Sequence, residues 1–498
     1  HATGKPGVAM VTSGPGATNI VTPLADAYMD SIPMVCITGQ VPLAAIGSDA
    51  FQEADAIALT LSATKWSYQI TRPEEVREVV RKAFVIARSG RPGPVLIEIT
   101  RDAQTGLVDA QPEPAAPVWN YPARHEDLSG LAQAAEVINT AQRPILMIGQ
   151  GVTLSGAEAQ VQALAERAGL PVASTLLGLS AFDVEHPLYV GMLGMHGNYA
   201  PNVLTNEADV ILAVGMRFDD RVTGRSDRYA PDARIVHVDI DPAEVDRHIR
   251  PEVALIGDAR KVLEALNPLI AERRHEAWRG RFEALAERER EMVIEPELCG
   301  GSAELRMGEV VDALSKLTDG NAVLVSDVGQ HQMAAARYYR FSRRASHVTS
   351  GGLGTMGFGV PAALGASLAA GDRPVIAVVG DGGFQMTLQE LGTLMQEQLP
   401  VKIVILNNEY LGMVRQWQEL FFEERYSQVA MANPDFVTLA SSYAIPAQRV
   451  QSREQLLVAM REALATPGPY LLEVCVARTD NVFPMVPAGA AIDEIRLS

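Results

Sequence analysis

Cysteine is scarce in this chain: Cys36, Cys299 and Cys475 are the only three in 498 residues, and they lie far apart. That spacing excludes a disulfide framework and a Cys-based zinc site, and it points to a reducing cytosol. No apolar run reaches the 18 or so residues a membrane-spanning helix needs. Basic runs are absent as well, and the formal net charge is −18. A surface for nucleic acid or for anionic membranes is therefore excluded. There is no short repeat. The start, His1-Ala2-Thr3-Gly4-Lys5, lacks an initiator Met and has no signal-peptide layout. What remains is 47% hydrophobic and 20% charged, the balance of a soluble globular protein with room for about three domains.

From Val8 onward, apolar runs alternate with amphipathic stretches. Val8–Thr12, Met34–Thr38 and Val95–Ile99 read as strands, and residues 73–89 as a helix. A second unit carries a helix over residues 128–140 and strands at Pro144–Ile148, Val210–Val214 and residues 234–240. A third carries strands near Val323–Val325, Ile376–Val379, Val401–Leu406 and residues 470–476. This alternation predicts βαβ units around parallel sheets, and it leaves open that the three units share one topology. Ala110 to Pro122 reads as a linker. Glu272 to Glu291, charged with both signs, reads as a solvated helix.

The most informative stretch is residues 376–408. One apolar run ends in Gly380-Asp381-Gly382 and a second ends in Asn407-Asn408. In an open parallel sheet, ligands sit beyond the carboxyl ends of strands. Asp381 and Asn408 stand at two such ends, so a carboxylate and an amide oxygen can meet at one point. A few oxygen ligands of this kind suit a Mg²⁺ that also holds a phosphate group, and Gly382 and Gly383 allow backbone N–H groups close to that anion. A dinucleotide fingerprint is excluded, because Gln385 stands where its third glycine belongs.

The segment resembles the thiamine-diphosphate (ThDP) and Mg²⁺ motif of pyruvate-type ThDP enzymes. The resemblance runs along the whole chain and narrows to the acetohydroxyacid (acetolactate) synthase catalytic subunits. It is carried by Ser13-Gly14-Pro15-Gly16-Ala17-Thr18-Asn19, Asp49-Ala50-Phe51-Gln52-Glu53, Arg91-Pro92-Gly93-Pro94, Arg217-Phe218-Asp219-Asp220-Arg221, the Gly351–Gly357 stretch and Gly412-Met413-Val414-Arg415-Gln416-Trp417. It implies an α/β fold of three doubly wound parallel-sheet domains, the first incomplete. These are a pyrimidine-binding domain (1–112), a linker (113–125), an FAD-binding domain (126–290), a diphosphate- and Mg²⁺-binding domain (302–478) and a C-terminal tail (479–498).

For the site, the resemblance implies Asp381, Asn408 and the Tyr410 carbonyl on Mg²⁺, with Gln330, His331, Gly382 and Gly383 around the diphosphate. His331 follows a strand, so a phosphate contact and a plain surface turn are both open. Gly354 is assigned to the aminopyrimidine. Met356 is assigned to the wedge beneath the cofactor, with ordinary core packing as the alternative. Met413 and Leu411 line the pocket or fill the core. Trp417 and Arg221 select the second 2-oxoacid, unless Arg221 merely pairs with Asp219 or Asp220. Phe51, Gln52 and Arg101 are expected near the reacting centre from a neighbouring chain. Thr100-Arg101 departs from the family's usual Pro-Lys, which puts the role of Arg101 in doubt.

FAD is implied by Arg91, the Gly191–Gly197 stretch with His196 and Gly197, Arg217, Asp239 and Asp258. It does no net redox chemistry in the family. Gly149-Gln150-Gly151 after a strand is only a weak nucleotide signal by itself. The implied activity is condensation of pyruvate with a second pyruvate or with 2-oxobutyrate, in branched-chain amino-acid synthesis. The implied assembly is a homodimer or homotetramer with a small regulatory subunit, in the cytoplasm. A flavin-dependent pyruvate oxidase and an inactive ThDP-fold scaffold are the alternatives. The family's proton-shuttling glutamate is expected ahead of His1, so the sequence as given is expected to bind FAD but to be nearly inactive.

Overall fold

The computed structural model describes residues 2–109, 126–299 and 304–498; the expected linker lies outside them. The strands form three parallel sheets. The first contains β1 (Gly7–Val11), β2 (Met34–Gln40), β3 (Trp66–Ile70) and β4 (Pro94–Thr100), in the order β1-β2-β4-β3. The second contains β5 (Pro144–Ile148), β6 (Val172–Ser174), β7 (Tyr189–Met192), β8 (Val210–Val214), β9 (Arg234–Asp239) and β10 (Val253–Ile256). Its order is β10-β9-β8-β5-β6-β7. The third contains β11 (Val323–Ser326), β12 (His347–Thr349), β13 (Val375–Gly380), β14 (Val401–Asn407), β15 (Ala447–Val450) and β16 (Tyr470–Cys475). They are ordered β12-β11-β13-β14-β16-β15.

One topology does not serve all three. The first sheet repeats the order of β13-β14-β16-β15, whereas the second has the order 3-2-1-4-5-6 counted along its own strands. That is the dinucleotide-binding arrangement. Helices cover both faces, as the doubly wound expectation requires. Leu146 and Ile148 of β5 pack into one core cluster, and Ile145 and Met147 into another. In β13, Ile376 and Val378 face one cluster, and Val375, Ala377 and Val379 the other. Strands buried on both faces have no polar alternation, which is why they read as unbroken apolar runs.

By internal contacts the chain forms two compact units. One holds the first sheet together with Ser350–Thr355; the other holds Glu126–Thr349 and Met356–Ser498, with both larger sheets. In the first unit, Val76–Arg88 is an amphipathic helix that buries Val79, Ala83, Ile86 and Ala87 on one face. In the second, the charged helix Glu276–Glu289 is not simply solvated. It buries Trp278, Phe282 and Glu289, with Trp278 edge-on to Phe282 at 5.2 Å. The C-terminal residues are likewise more than a tail, since Val486, Ile492 and Ile495 belong to a core cluster of the second sheet. Among the described residues, no helix is long and apolar enough to cross a membrane.

Candidate active site

Strand order in the third sheet reverses between β11 and β13, the position where an open α/β sheet binds ligands. Both strands end in buried acids there. Asp327 follows β11 and accepts from the backbone N–H of Val328 at 2.7 Å and of Gly357 at 3.0 Å. Burial still raises its pKa to about 6. Asp381 follows β13, is buried, and has its pKa raised by desolvation, partly offset by a hydrogen bond from Asn433 Nδ2 at 2.7 Å. The alternative of a surface-turn histidine at His331 is overturned, because the ring is buried and burial holds its pKa down to about 3. A Cβ on Gly380 would lie 2.8 Å from Nδ1 of this ring, and one on Gly329 2.9 Å from its Cε1. Only glycines let the imidazole sit there, one residue from Asp381. Its Nε2 is buried without a hydrogen-bond partner.

Asn408 is buried beside this point. Its Nδ2 donates to Gln330 Oε1 at 3.3 Å, and its Oδ1 accepts from the Tyr410 N–H at 3.2 Å. Gln330 Nε2 donates in turn to Gln416 Oε1 at 3.0 Å and to the Asp480 carbonyl at 2.9 Å. Gly382 and Gly383 are buried in the short helix Asp381–Met386. Among the described residues no group of three His, Cys, Asp or Glu side chains converges. A divalent ion at this edge would therefore draw on no more than two carboxylates, with amide and backbone oxygens and a ligand's own oxygens.

In the first compact unit, the Gly-rich stretch is held by two acids. Asp26 accepts from the hydroxyls of Ser350 and Thr355, the latter at 3.1 Å. Asp30 accepts from the N–H groups of Gly351 at 3.0 Å and Gly352 at 2.7 Å. Gly354 is exposed with φ 74°; Met356, which belongs to the second unit, is half-buried instead of sealed in a core. Phe51 is 89% exposed. Gln52 has φ 60°, and its backbone closes on Gly14, where a Cβ would approach it to 2.9 Å. Arg101 is exposed at the start of the helix Arg101–Thr105. Arg91 bonds to Ser31 Oγ at 2.8 Å and to the Met29 carbonyl at 3.3 Å.

The second sheet reverses its order between β5 and β8. Gly149 and Gly151, after β5, pack on Gly215, after β8; added Cβ atoms would come within 2.3 and 2.6 Å of it. At this edge the buried Gln150 has no partner for Nε2. His196 is half-buried with its Nδ1 buried and unpartnered, and desolvation, then nearby Arg337, lowers its pKa to about 4. Gly197 gives its carbonyl to Arg337 Nη2 at 3.0 Å. Arg217 lies 3.6 Å from Asp219, and Asp239 ends β9, accepting from the Asp241 N–H at 2.8 Å. Asp258 acts locally, capping the helix Ala259–Leu266 through the Lys261 N–H.

Comparison with known proteins agrees with this layout. Three thiamine pyrophosphate enzyme profiles match: the N-terminal TPP binding domain at residues 1–59, the central domain at 131–266 and the C-terminal TPP binding domain at 327–474. The acetolactate synthase isozyme 2 large subunit of Escherichia coli (strain K12) is 43% identical over 99% of this chain and 88% of its own length. The acetolactate synthase large subunit of Parasynechococcus marenigrum is 45% identical over 98% and 80%. A probable acetolactate synthase large subunit of Methanocaldococcus jannaschii is 42% identical over 99% and 85%. The chain belongs to the acetolactate synthase large-subunit family.

Within this family chain, Arg221 and Trp417 occupy different settings. Arg221 has an exposed guanidinium, 3.6 Å from Asp220 and 3.3 Å from Met195 Sδ. Asp219 instead caps the short helix Asp220–Thr223. Trp417 is half-buried on the helix Gly412–Phe421, edge-on to Phe421 at 5.3 Å, and Met413 is half-buried on the same helix. The neighbouring Arg415 and Gln416 anchor that helix. Arg415 reaches the Thr479 carbonyl at 2.7 Å, and Gln416 reaches the Val482 carbonyl at 3.0 Å. Asp327, Asn433 and Glu473 are polar groups at the ligand edge that sequence motifs did not single out. Their one signal is a charge or amide within or just after an apolar run.

Proposed function

We propose that this chain is the catalytic subunit of an acetolactate synthase, joining the two-carbon unit of pyruvate to a second pyruvate or to 2-oxobutyrate. The observation that carries the site reading is His331: a buried ring packed against Gly380 through Nδ1 and Cε1, with its Nε2 unpartnered, next to the buried Asp381. A neutral imidazole there can donate to a phosphate oxygen, which would satisfy the orphaned atom. ThDP when bound supplies carbanion stabilisation for 2-oxoacid decarboxylation. Gln330, His331, Gly382 and Gly383 would hold its diphosphate, and Asp381, Asn408 and the Tyr410 carbonyl would hold Mg²⁺ against it. Gly354 and Met356 would orient the rings, with Met413 along the pocket. Trp417 and the exposed fork of Arg221 would receive the second 2-oxoacid, the fork pairing with its carboxylate. Phe51, Gln52 and Arg101 would approach from a neighbouring copy in a homodimer or homotetramer.

The dinucleotide order of the second sheet and the unpartnered Gln150 and His196 support FAD there, with His196, Gly197, Arg217 and Asp239 along it. Arg91 and Asp258 would add to that site beyond the bonds they already make. The large-subunit names of the relatives support a small regulatory partner, and the cysteine usage supports a cytoplasmic setting. The test is calorimetric titration of ThDP with Mg²⁺ into the wild-type chain and Asp381→Ala. Removing the one carboxylate is expected to abolish Mg²⁺-dependent binding without unfolding the protein; unchanged affinity would remove the basis of the assignment.

A further inference from the structure

A chain of hydrogen bonds crosses the carboxyl edge of the third sheet and ends on Asp381 of the ligand set proposed above. It begins at Glu473 on β16, which is 2% exposed. Its Oε2 accepts from Arg449 Nε at 2.7 Å, and its Oε1 from Asn407 Nδ2 at 2.8 Å. An ionised carboxylate only accepts, so Asn407 must turn its nitrogen toward Glu473 and its oxygen away. That oxygen accepts from Asn433 Nδ2 at 3.0 Å. The same nitrogen donates to Asp381 Oδ2 at 2.7 Å. Gln385 Nε2 donates to Asn433 Oδ1 at 2.8 Å, which disfavours the flipped amide. Two carboxylates at the ends, together with the Glu409 N–H that donates to Asn407 Oδ1 at 3.1 Å, thus impose a direction on the two amides between them.

We propose that Asn433, oriented from Glu473 through Asn407, is a positioning residue that engages Oδ2 of Asp381, so that this carboxylate meets a divalent cation through Oδ1 alone and favours Mg²⁺ over Ca²⁺. The inference rests on the reading of Asp381 as a metal ligand. Among the described residues, Asn433 is the one side chain that donates to this carboxylate. Ca²⁺ takes more oxygens at longer distances and often binds a carboxylate through both atoms, whereas Mg²⁺ uses few carboxylates in tight octahedral geometry. A charge-assisted hydrogen bond on one oxygen opposes the bidentate mode. It also keeps the carboxylate from rotating before the cation arrives.

The test titrates ThDP into the whole chain with Mg²⁺ alone and with Ca²⁺ alone. Asn433→Ala is expected to weaken Mg²⁺-supported binding roughly tenfold, the worth of a charge-assisted hydrogen bond, with a much smaller loss in Ca²⁺. The Mg²⁺/Ca²⁺ ratio therefore falls. Glu473→Gln, which loosens one of the contacts that orient Asn407 while the Glu409 N–H still holds its Oδ1 at 3.1 Å, is expected to lower the ratio less but in the same direction. An unchanged ratio overturns the proposal, and so does an equal loss with both cations, the signature of a merely structural residue. Should Asn433→Ala fail to fold, Asn433→Ser and Glu473→Gln decide by the same ratio. A wild-type chain that takes up ThDP with neither cation overturns the metal reading of Asp381 and this proposal with it. Wild-type binding with an unchanged variant ratio overturns this proposal alone.

Discussion

Glu289 and Arg337 form an ion pair whose removal has a calculable cost. Their side chains are 2% and 3% exposed and lie 2.7 Å apart. Glu289 also accepts from Asn198 Nδ2 at 2.9 Å and from the Tyr199 N–H at 2.6 Å, while Arg337 gives its other arm to the Gly197 carbonyl. The pair therefore fixes residues 197–199, beside His196, against the helix Gln330–Tyr338 that carries His331. Glu289→Ala strands a buried guanidinium and two donors, for which the expected loss is about 3–5 kcal/mol. Replacing both charges, as Glu289→Leu with Arg337→Met, leaves no buried charge and should cost less than Glu289→Ala alone. Urea unfolding followed through Trp278, buried on the same helix as Glu289, measures all the variants. A Glu289→Ala cost below about 1 kcal/mol, or a double variant losing the sum of the singles, would refute the reasoning.

Acid should destabilise the second unit through three desolvated histidines. Burial lowers His331 to about 3 and His196 and His347 to about 4. Between these values and the ordinary value near 6.5 the unfolded chain binds more protons, so stability is complete above about pH 6.5 and is lost as pH falls. Each histidine contributes a slope of about 1.4 kcal/mol per pH unit in that window, and urea midpoints for His331→Gln from pH 7 to 5 should flatten by one such share. Trp417→Leu should spare pyruvate self-condensation relative to the 2-oxobutyrate product, shifting the product ratio by the equivalent of about 1–3 kcal/mol. Chromatography of the two products decides it, and an equal loss of both would make Trp417 structural.

The central strands were legible because burial on two faces leaves an unbroken apolar signature: β5 and β8 occupy the residues that the apolar runs predict. The strands not anticipated are mostly at or near sheet edges. Among them are β3 (WSYQI), β15 (AQRV) and the three-residue β12. An edge strand packs on fewer neighbours and tolerates polar residues, so periodicity does not reveal it. The helix over residues 276–289 looked solvated because its charges outnumber Trp278 and Phe282, and only packing shows that those two face inward.

By itself, the sequence determined which chemical groups end each strand. Asp381, Asn407 and Asn408 follow their apolar runs by covalent adjacency, and His331 and Gly329 stand together for the same reason. Tertiary structure decided what those groups face. The orphaned imidazole at Gly380, the Glu289–Arg337 pair and the line from Glu473 through Asn407 and Asn433 to Asp381 all join segments distant in the chain. Such contacts depend on strand order. An amide's orientation depends on which carboxylate reaches it first, and neither is written in the spacing of residues along one strand.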